Sequence, residues 1–331
     1  MPGSATSVYS EAEDFEAALR AEGCLGLLVT GHGRFRARLT QVGLHRLRLS
    51  ATDEQLARIA LVAVPADTIL LSQSRAPESA AIWGGIRIGA GELMALGPGV
   101  RLHMRTDGPC RWGSIWLQAS ELVRYGSALT GAAFAIPSAA RAWRPRPATG
   151  RHLRHLHSVA IRLVERGSNA LVEGEAVHGL EQQLIEAVVD CLAKGSVIDP
   201  SPAMCERQDV ALRFEALLQT QPARAHRMIE ICSALGVSAQ TLRVSCEAQL
   251  GMGPAEYIRR RRMQLAHHEL RHGNYDTASI STVARHYGFR GLGRFAAGYR
   301  ALYGELPSAT LRRGSDGVAP FALRRRRVKV S

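Results

Sequence analysis

The chain has 331 residues, 46% of them hydrophobic and 21% charged, which suits two soluble globular domains and excludes a disordered polymer. No apolar run approaches the ~18 residues of a membrane span, and the opening MPGSATSVYSEAEDFEAAL has no basic block followed by an apolar one, so neither a membrane location nor a signal peptide is expected. The net charge of +13 is uneven: residues 1–200 hold 21 basic against 19 acidic side chains, residues 201–331 hold 21 against 10. That asymmetry points to a polyanion-binding C-terminal domain joined to a near-neutral N-terminal one. The plainer alternative is solvated helices rich in arginine, because 40 of the 42 basic residues are Arg. The six cysteines are scattered with no C-x-x-C pair and read as reduced core thiols, not as a zinc site.

From Cys24 to Leu117 the pattern is that of strands. CLGLLVT, RFRARLT, LHRLRLS, ARIALVAVP, DTILLSQS, IWGGIRIGA and RWGSIWL are short runs between Gly and Pro turns, several alternating with period two, as Phe35, Ala37 and Leu39 do. An antiparallel sandwich or barrel is expected. After Gln118 the period lengthens. Leu153, Leu156, Ala160, Leu163 and Val164 recur at helical spacing, as do Val177, Leu180, Leu184, Val188 and Cys191, giving two trailing amphipathic helices after the RPRPATG connector. Their apolar stripes suit packing on the sheet better than pairing with a second subunit. KGSVIDPSP, residues 194–202, reads as a linker.

From Asp209 onward the pattern is helical. A short helix over Leu212–Leu218 precedes one over Met228–Leu235 that ends at Gly236. Ser238 caps the next, Ala239 to Gln249; Pro254 opens a long helix that stops at Gly273; Ile280 begins another, ending near Gly288; and a last helix runs from Leu292 to Tyr303. Two pairs of short helices, each with a glycine at its turn, therefore flank one long helix, and each pair has helix-turn-helix spacing. About 20 residues of helix span roughly 30 Å, close to the ~34 Å between major-groove faces on one side of B-DNA.

These residues resemble the AraC/XylS family of bacterial transcription regulators over positions 209–312. The resemblance rests on Ser238-x-x-x-Leu242, Gly251-x-x-Pro254-x-x-Tyr257-Ile258 and Arg262-x-x-x-Ala266-x-x-x-Leu270 in the first half. In the second it rests on Ile280-x-x-Val283-Ala284, Gly288-Phe289, Phe295-x-x-x-Tyr299-Arg300, Tyr303-Gly304 and Pro307. It implies sequence-specific binding of double-stranded DNA, regulation of nearby operons in response to a small-molecule effector, a cytoplasmic, nucleoid-associated location, a homodimer and contact with RNA polymerase. Carried over by position, the base-contact candidates are Gln240 and Arg243 in the first recognition helix and Arg290 and Arg294 at the second. Ser238, Arg259, Arg260, Arg261 and Arg300 are candidates for phosphate contact. The sequence departs from the family pattern at Gly291, Gly293 and Ala297. The glycines weaken this helix by up to ~1 kcal/mol each where they are interior, so it either reads bases less directly or approaches the backbone more closely.

The resulting organisation is α+β: an effector-binding and dimerisation domain over 1–195, loosely cupin-like in GELMALGPGVRLHMRTDGPCRWGSIWL; a linker over 196–208; the DNA-binding domain over 209–313; and a basic tail over 314–331, expected to be disordered. Two other readings stand beside it. The chain could bind DNA constitutively with an N-terminal domain that only dimerises, or it could be a cupin-type enzyme fused to a DNA-binding module. The enzyme reading lacks its ligands, since His103 stands alone between Leu102 and Met104 and reads as an ordinary strand residue. His152, His155 and His157 on one helix, and His268 and His272 four residues apart on another, read as surface histidines. No catalytic residue, cofactor or metal is expected; no nucleophile elbow or phosphate loop occurs. Gly291-Leu292-Gly293-Arg294-Phe295-Ala296 fits the G-x-G-x-x-A dinucleotide pattern, but the helical ISTVARHY precedes it where such a site needs a strand, so the match is accidental.

Overall fold

The computed structural model describes residues 4–167, 174–220, 227–273 and 279–316. The tail over 317–331 lies outside them, so the expectation about it is not addressed, although the last helix extends three residues into the segment assigned to it.

The strands are β1 (Ala5–Tyr9), β2 (Cys24–Val29), β3 (Ala37–Gly43), β4 (Leu47–Glu54), β5 (Arg58–Ala63), β6 (Thr68–Ser74), β7 (Ala81–Trp83), β8 (Ile86–Ile88), β9 (Leu93–Leu96), β10 (Arg101–Thr106), β11 (Cys110–Gln118), β12 (Ala140–Arg144) and β13 (Ser196–Ile198). They form an eight-stranded sheet, ordered β1-β3-β4-β11-β6-β9-β12-β13, and a five-stranded sheet, ordered β2-β5-β10-β7-β8, antiparallel in every pairing. Each sheet ends on two different edge strands, so the barrel alternative is corrected: the sheets do not close.

Three helices come after β11, α2 (Ala119–Thr130), α3 (Pro147–Glu165) and α4 (Gly174–Lys194), with β12 between α2 and α3, β13 after α4, and α1 (Ala12–Leu19) near the start. The period-two rule explains the layering. Leu70, Met94, Leu96, Trp112 and Trp116 of the large sheet face the small sheet. Their neighbours Ile69, Leu71, Leu93, Ala95, Ile115 and Leu117 face α2, α3 and α4. A sheet buried on both faces reads as near-continuous apolar runs, which is why TILL and IWL carry little alternation. The trailing helices thus cover the sheet, as their stripes suggested. Helix α2 went unread because it begins directly from β11 with no turn signal.

His157 does not lie at the surface, contrary to the sequence reading. It is 1% exposed, its Nε2 3.1 Å from the Ser50 carbonyl oxygen, because it falls on the sheet-facing side of α3. His152 and His155 are exposed. The 194–202 segment contributes β13, which extends the large sheet by pairing with β12. All six cysteines are free thiols, four of them buried.

The C-terminal part holds α5 (Pro202–Thr220), α6 (Met228–Leu235), α7 (Ala239–Leu250), α8 (Pro254–His272), α9 (Ile280–His286), α10 (Leu292–Tyr303) and α11 (Pro307–Asp316). Helix α5 is far longer than the expected Leu212–Leu218. Its apolar spacing is masked by polar residues in its first two turns, and Val210, Ala211, Phe214 and Leu218 carry its buried face. No described helix is long and apolar enough to cross a membrane.

Candidate nucleic-acid interface

Two cores divide the C-terminal part, and α8 serves both. Its first half gives Tyr257 and Ile258 to a core with Phe214, Ile231, Leu235, Leu242 and Cys246. Its second half gives Met263, Ala266 and Leu270 to a core with Val283, Ala284, Phe295, Tyr299 and Leu302. One rigid helix therefore fixes α6–α7 relative to α9–α10.

Each pair turns on a glycine with positive φ, 65° at Gly236 and 78° at Gly288, where a residue with a Cβ would be strained. Ser238 then caps α7, its Oγ accepting from the Thr241 N–H at 3.0 Å. Gly291 stands at the N-cap of α10 and offers no side-chain acceptor. Because helix α9 precedes that stretch, the dinucleotide match is structurally as well as sequentially accidental.

The base-contact candidates Gln240, Arg243, Arg290 and Arg294 are all exposed. Among the described residues Arg243 has only a loose pair with Glu247 at 3.6 Å, both side chains half exposed, an interaction worth little and readily exchanged. Arg290, Arg294 and Arg300 make no ion pair among the described residues, and Arg294 folds its guanidinium back towards Gly291.

The phosphate candidates separate. Arg300 is exposed on α10. The Ser238 hydroxyl is engaged in its cap. Arg259 is half exposed and held by both Glu256 oxygens, at 2.8 and 2.9 Å. Arg260 turns into the molecule, bonding Glu256 at 2.7 Å and the Thr30 carbonyl oxygen of the N-terminal domain at 2.7 Å. Arg261 pairs with Glu215 at 3.6 Å, and Glu215 also accepts from the Tyr257 hydroxyl at 2.5 Å. A run of four arginines on a helix must point several ways; here Arg260 and Arg261 point at protein.

The sequence reading missed the residues that join the two parts. Leu28 and Ile59 enter the first helical core. Gln264 Nε2 donates to the Leu27 carbonyl at 2.6 Å, Gly33 N–H donates to the Leu302 carbonyl at 3.1 Å, and Arg271 pairs with Glu13 at 3.1 Å and Asp14 at 2.9 Å. The signal was present as charge: the acidic Glu13, Asp14 and Glu16 of α1 complement the basic α8.

The glycines of α10 are not demanded by packing. A Cβ on Gly293 would meet nothing within 4 Å, and one on Gly298 would make ordinary contact with Met263 Cε at 3.5 Å and Arg259 Nη1 at 3.7 Å. Gly298→Ala is therefore expected to stabilise the chain by about 0.5–1 kcal/mol, as an interior helix glycine replaced by alanine should. Urea unfolding measures it; a lowered midpoint would mean that Met263 and Arg259 cannot accommodate the methyl group.

A model of the family described as a helix-turn-helix domain matches residues 231–313, which span both helix pairs and α8. The XylDLEGF operon transcriptional activator 2 of Pseudomonas putida is 36% identical over 101 residues, 30% of this chain and 64% of that protein. Activator 1 of the same operon in P. putida is 40% identical over 77 residues, 23% of each chain. The crystal structure of the AraC-like transcriptional activator CuxR aligns with 81% of this chain and 96% of its own, at 18% identity and a TM-score of 0.43. The matched stretch of this chain thus spans less than two thirds of the length of these curated relatives. Over that stretch, with its two helix-turn-helix units on a shared helix, the chain carries a helix-turn-helix domain similar to that of the AraC/XylS-type transcriptional activators.

Proposed function

We propose that the protein is a sequence-specific DNA-binding transcription regulator whose N-terminal domain responds to a small-molecule effector. The observation that carries this reading is the pair of helix-turn-helix units on one rigid helix, with Gln240 and Arg243 exposed on α7 and Arg290 and Arg294 exposed at α10. An exposed Arg suits guanine O6 and N7, and an exposed Gln suits adenine N6 and N7. Arg259 and Arg300 supply phosphate contacts, the first by exchanging Glu256 for phosphate.

An effector role is supported by a cavity of about 400 Å³ bounded by Val29, Phe35 and Leu56 on one side and by Gln264, Leu302 and Tyr303 on the other. A ligand there would touch both domains, and its differential affinity for their arrangements would bias DNA binding. The N-terminal domain, a sandwich of cupin-like character, serves as the dimerisation module, and the regulator works with RNA polymerase in the bacterial cytoplasm. The relatives it matches are named as transcriptional activators, not enzymes, and we assign this chain no reaction.

Gel-shift titration of genomic fragments at fixed salt tests the reading. Arg243→Ala should lower the preference for the cognate site by about 1–3 kcal/mol, a loss of roughly fivefold to 150-fold, while leaving non-specific binding intact. Arg259→Ala should weaken binding evenly across sequences and make the salt slope shallower by about one. Unchanged specificity in Arg243→Ala would remove it from the readout; no cognate site for the parent protein would remove the function.

A further inference from the structure

We propose that Glu13, His268 and His272 form a site for a divalent transition-metal ion of the zinc class, which ties the N-terminal domain to the helix shared by the two DNA-binding units. The sequence shows only two of these ligands, four residues apart on α8, and two histidines alone favour a plain surface pair. The fold supplies the third from the other domain: Glu13 lies in the first turn of α1. One ligand atom from each of the three lies within 4.8 Å of the others. His268 Nδ1 is 3.1 Å from Glu13 Oε2 and His272 Nδ1 is 3.9 Å from it, and the two rings sit 4.4 Å apart, centre to centre.

Those separations suit a metal. Tetrahedral bonds of ~2.0–2.2 Å to imidazole nitrogen and carboxylate oxygen place ligand atoms about 3.3–3.6 Å apart, so side-chain shifts of roughly an ångström complete the site. Two imidazoles and a carboxylate select zinc, cobalt, nickel or copper over magnesium or calcium, which prefer all-oxygen shells. Three protein ligands leave a fourth position for water. Glu13 has acceptor capacity to spare, since its Oε1 is buried with no hydrogen-bond partner among the described residues. The ion has a path in, because Glu13, His268 and His272 line an open cavity of about 620 Å³ together with Asp14 and Glu16.

Two contacts oppose binding. Arg271 Nη1 lies 3.1 Å from Glu13 Oε2 and must turn further towards Asp14, already 2.9 Å from its other nitrogen. His272 Nδ1 must also leave the His268 carbonyl oxygen, now at 2.9 Å. Both histidines are exposed and the exchange is local, so the expected result is a moderate affinity. Because α8 carries both helix-turn-helix units, a bound ion would hold the DNA-binding domain against α1, next to the Gln264–Leu27 and Arg260–Thr30 bonds.

Cobalt(II) titration of the full chain tests the site, in a Cys205→Ser background that removes the exposed thiol. The parent should bind a single cobalt with the visible absorption of a four- or five-coordinate ion, displaced by zinc. Glu13→Gln, His268→Gln and His272→Gln should each weaken binding about tenfold or more. Asp14→Asn, which removes an Arg271 partner but no ligand, should stay within about threefold of the parent. Metal-free circular dichroism on each variant verifies folding. Parent-like affinity in Glu13→Gln, or no saturable binding below about 1 mM in the parent, would overturn the proposal. Neither outcome bears on the gel-shift result, so this site and the DNA-binding reading fail separately.

Discussion

Glu54→Ala is expected to cost about 3–5 kcal/mol of stability, enough to unfold the N-terminal domain at moderate temperature. Glu54 and Arg58 are side chains of 0% and 7% exposure, joined in a bidentate pair at 2.5 and 2.8 Å. The carboxylate holds the guanidinium firmly charged, its pKa pushed above the usual arginine range against the pull of burial, which is the largest single influence and opposes charging. Without Glu54, the Arg58 guanidinium keeps, among the described residues, only the Met104 sulfur at 2.9 Å and stays charged in an apolar interior. The double replacement Glu54→Leu with Arg58→Met removes both charges and should recover most of the loss, since a buried ion pair gains little over a packed apolar one. Urea denaturation of the single and double variants measures this. A single variant as stable as the parent would mean that water reaches Arg58.

Acidification should destabilise the protein between pH 6.5 and 4 through its buried histidines, His103 and His157 among them; burial pushes His267 down to about 4 as well. Burial pushes the pKa of His103 and of His157 down to about 4, from a usual 6.5. Around His103, Glu215 raises the value and Arg101 lowers it further; around His157, Arg75 lowers it and the Ser50 and Ser114 backbone raises it. Both are neutral in the folded chain near pH 6, whereas the unfolded chain begins to protonate them at 6.5. Their contribution is complete above 6.5 and is lost as pH falls towards 4, at up to about 1.4 kcal/mol per pH unit for each histidine. Burial raises the Glu11 and Glu16 carboxyls, which act with the opposite sign and offset part of the loss at the acid end. Melting temperatures at pH 7.5, 6 and 5 should fall steadily, and His157→Leu should show a shallower fall. A flat profile would place both rings in contact with water.

Local signals made the C-terminal helices legible. Glycine turns at Gly236 and Gly288, the Ser238 cap and Pro254 at a first helical turn each act within four residues, and α6, α8 and α10 begin and end where those signals place them. The strand runs were legible for the same reason, because alternation needs only neighbours. Buried β11 and α5 show the limit: where both faces of an element are covered, or its first turns are polar, periodicity fades. The exposure of Gln240, Arg243 and Arg294 also followed from helical phase, since each falls away from an apolar stripe, while Arg290 lies in the turn before α10.

What the sequence by itself determined is the two-part organisation, the paired helix-turn-helix units and the side chains they present to solvent. Only the tertiary structure decided that the sheets stay open, that Arg260 and Arg261 turn to protein, that His157 is buried, and that Glu13 meets His268 and His272. Each of these depends on contacts between segments far apart in the chain, and helical or strand phase says which face a residue occupies but not what that face meets.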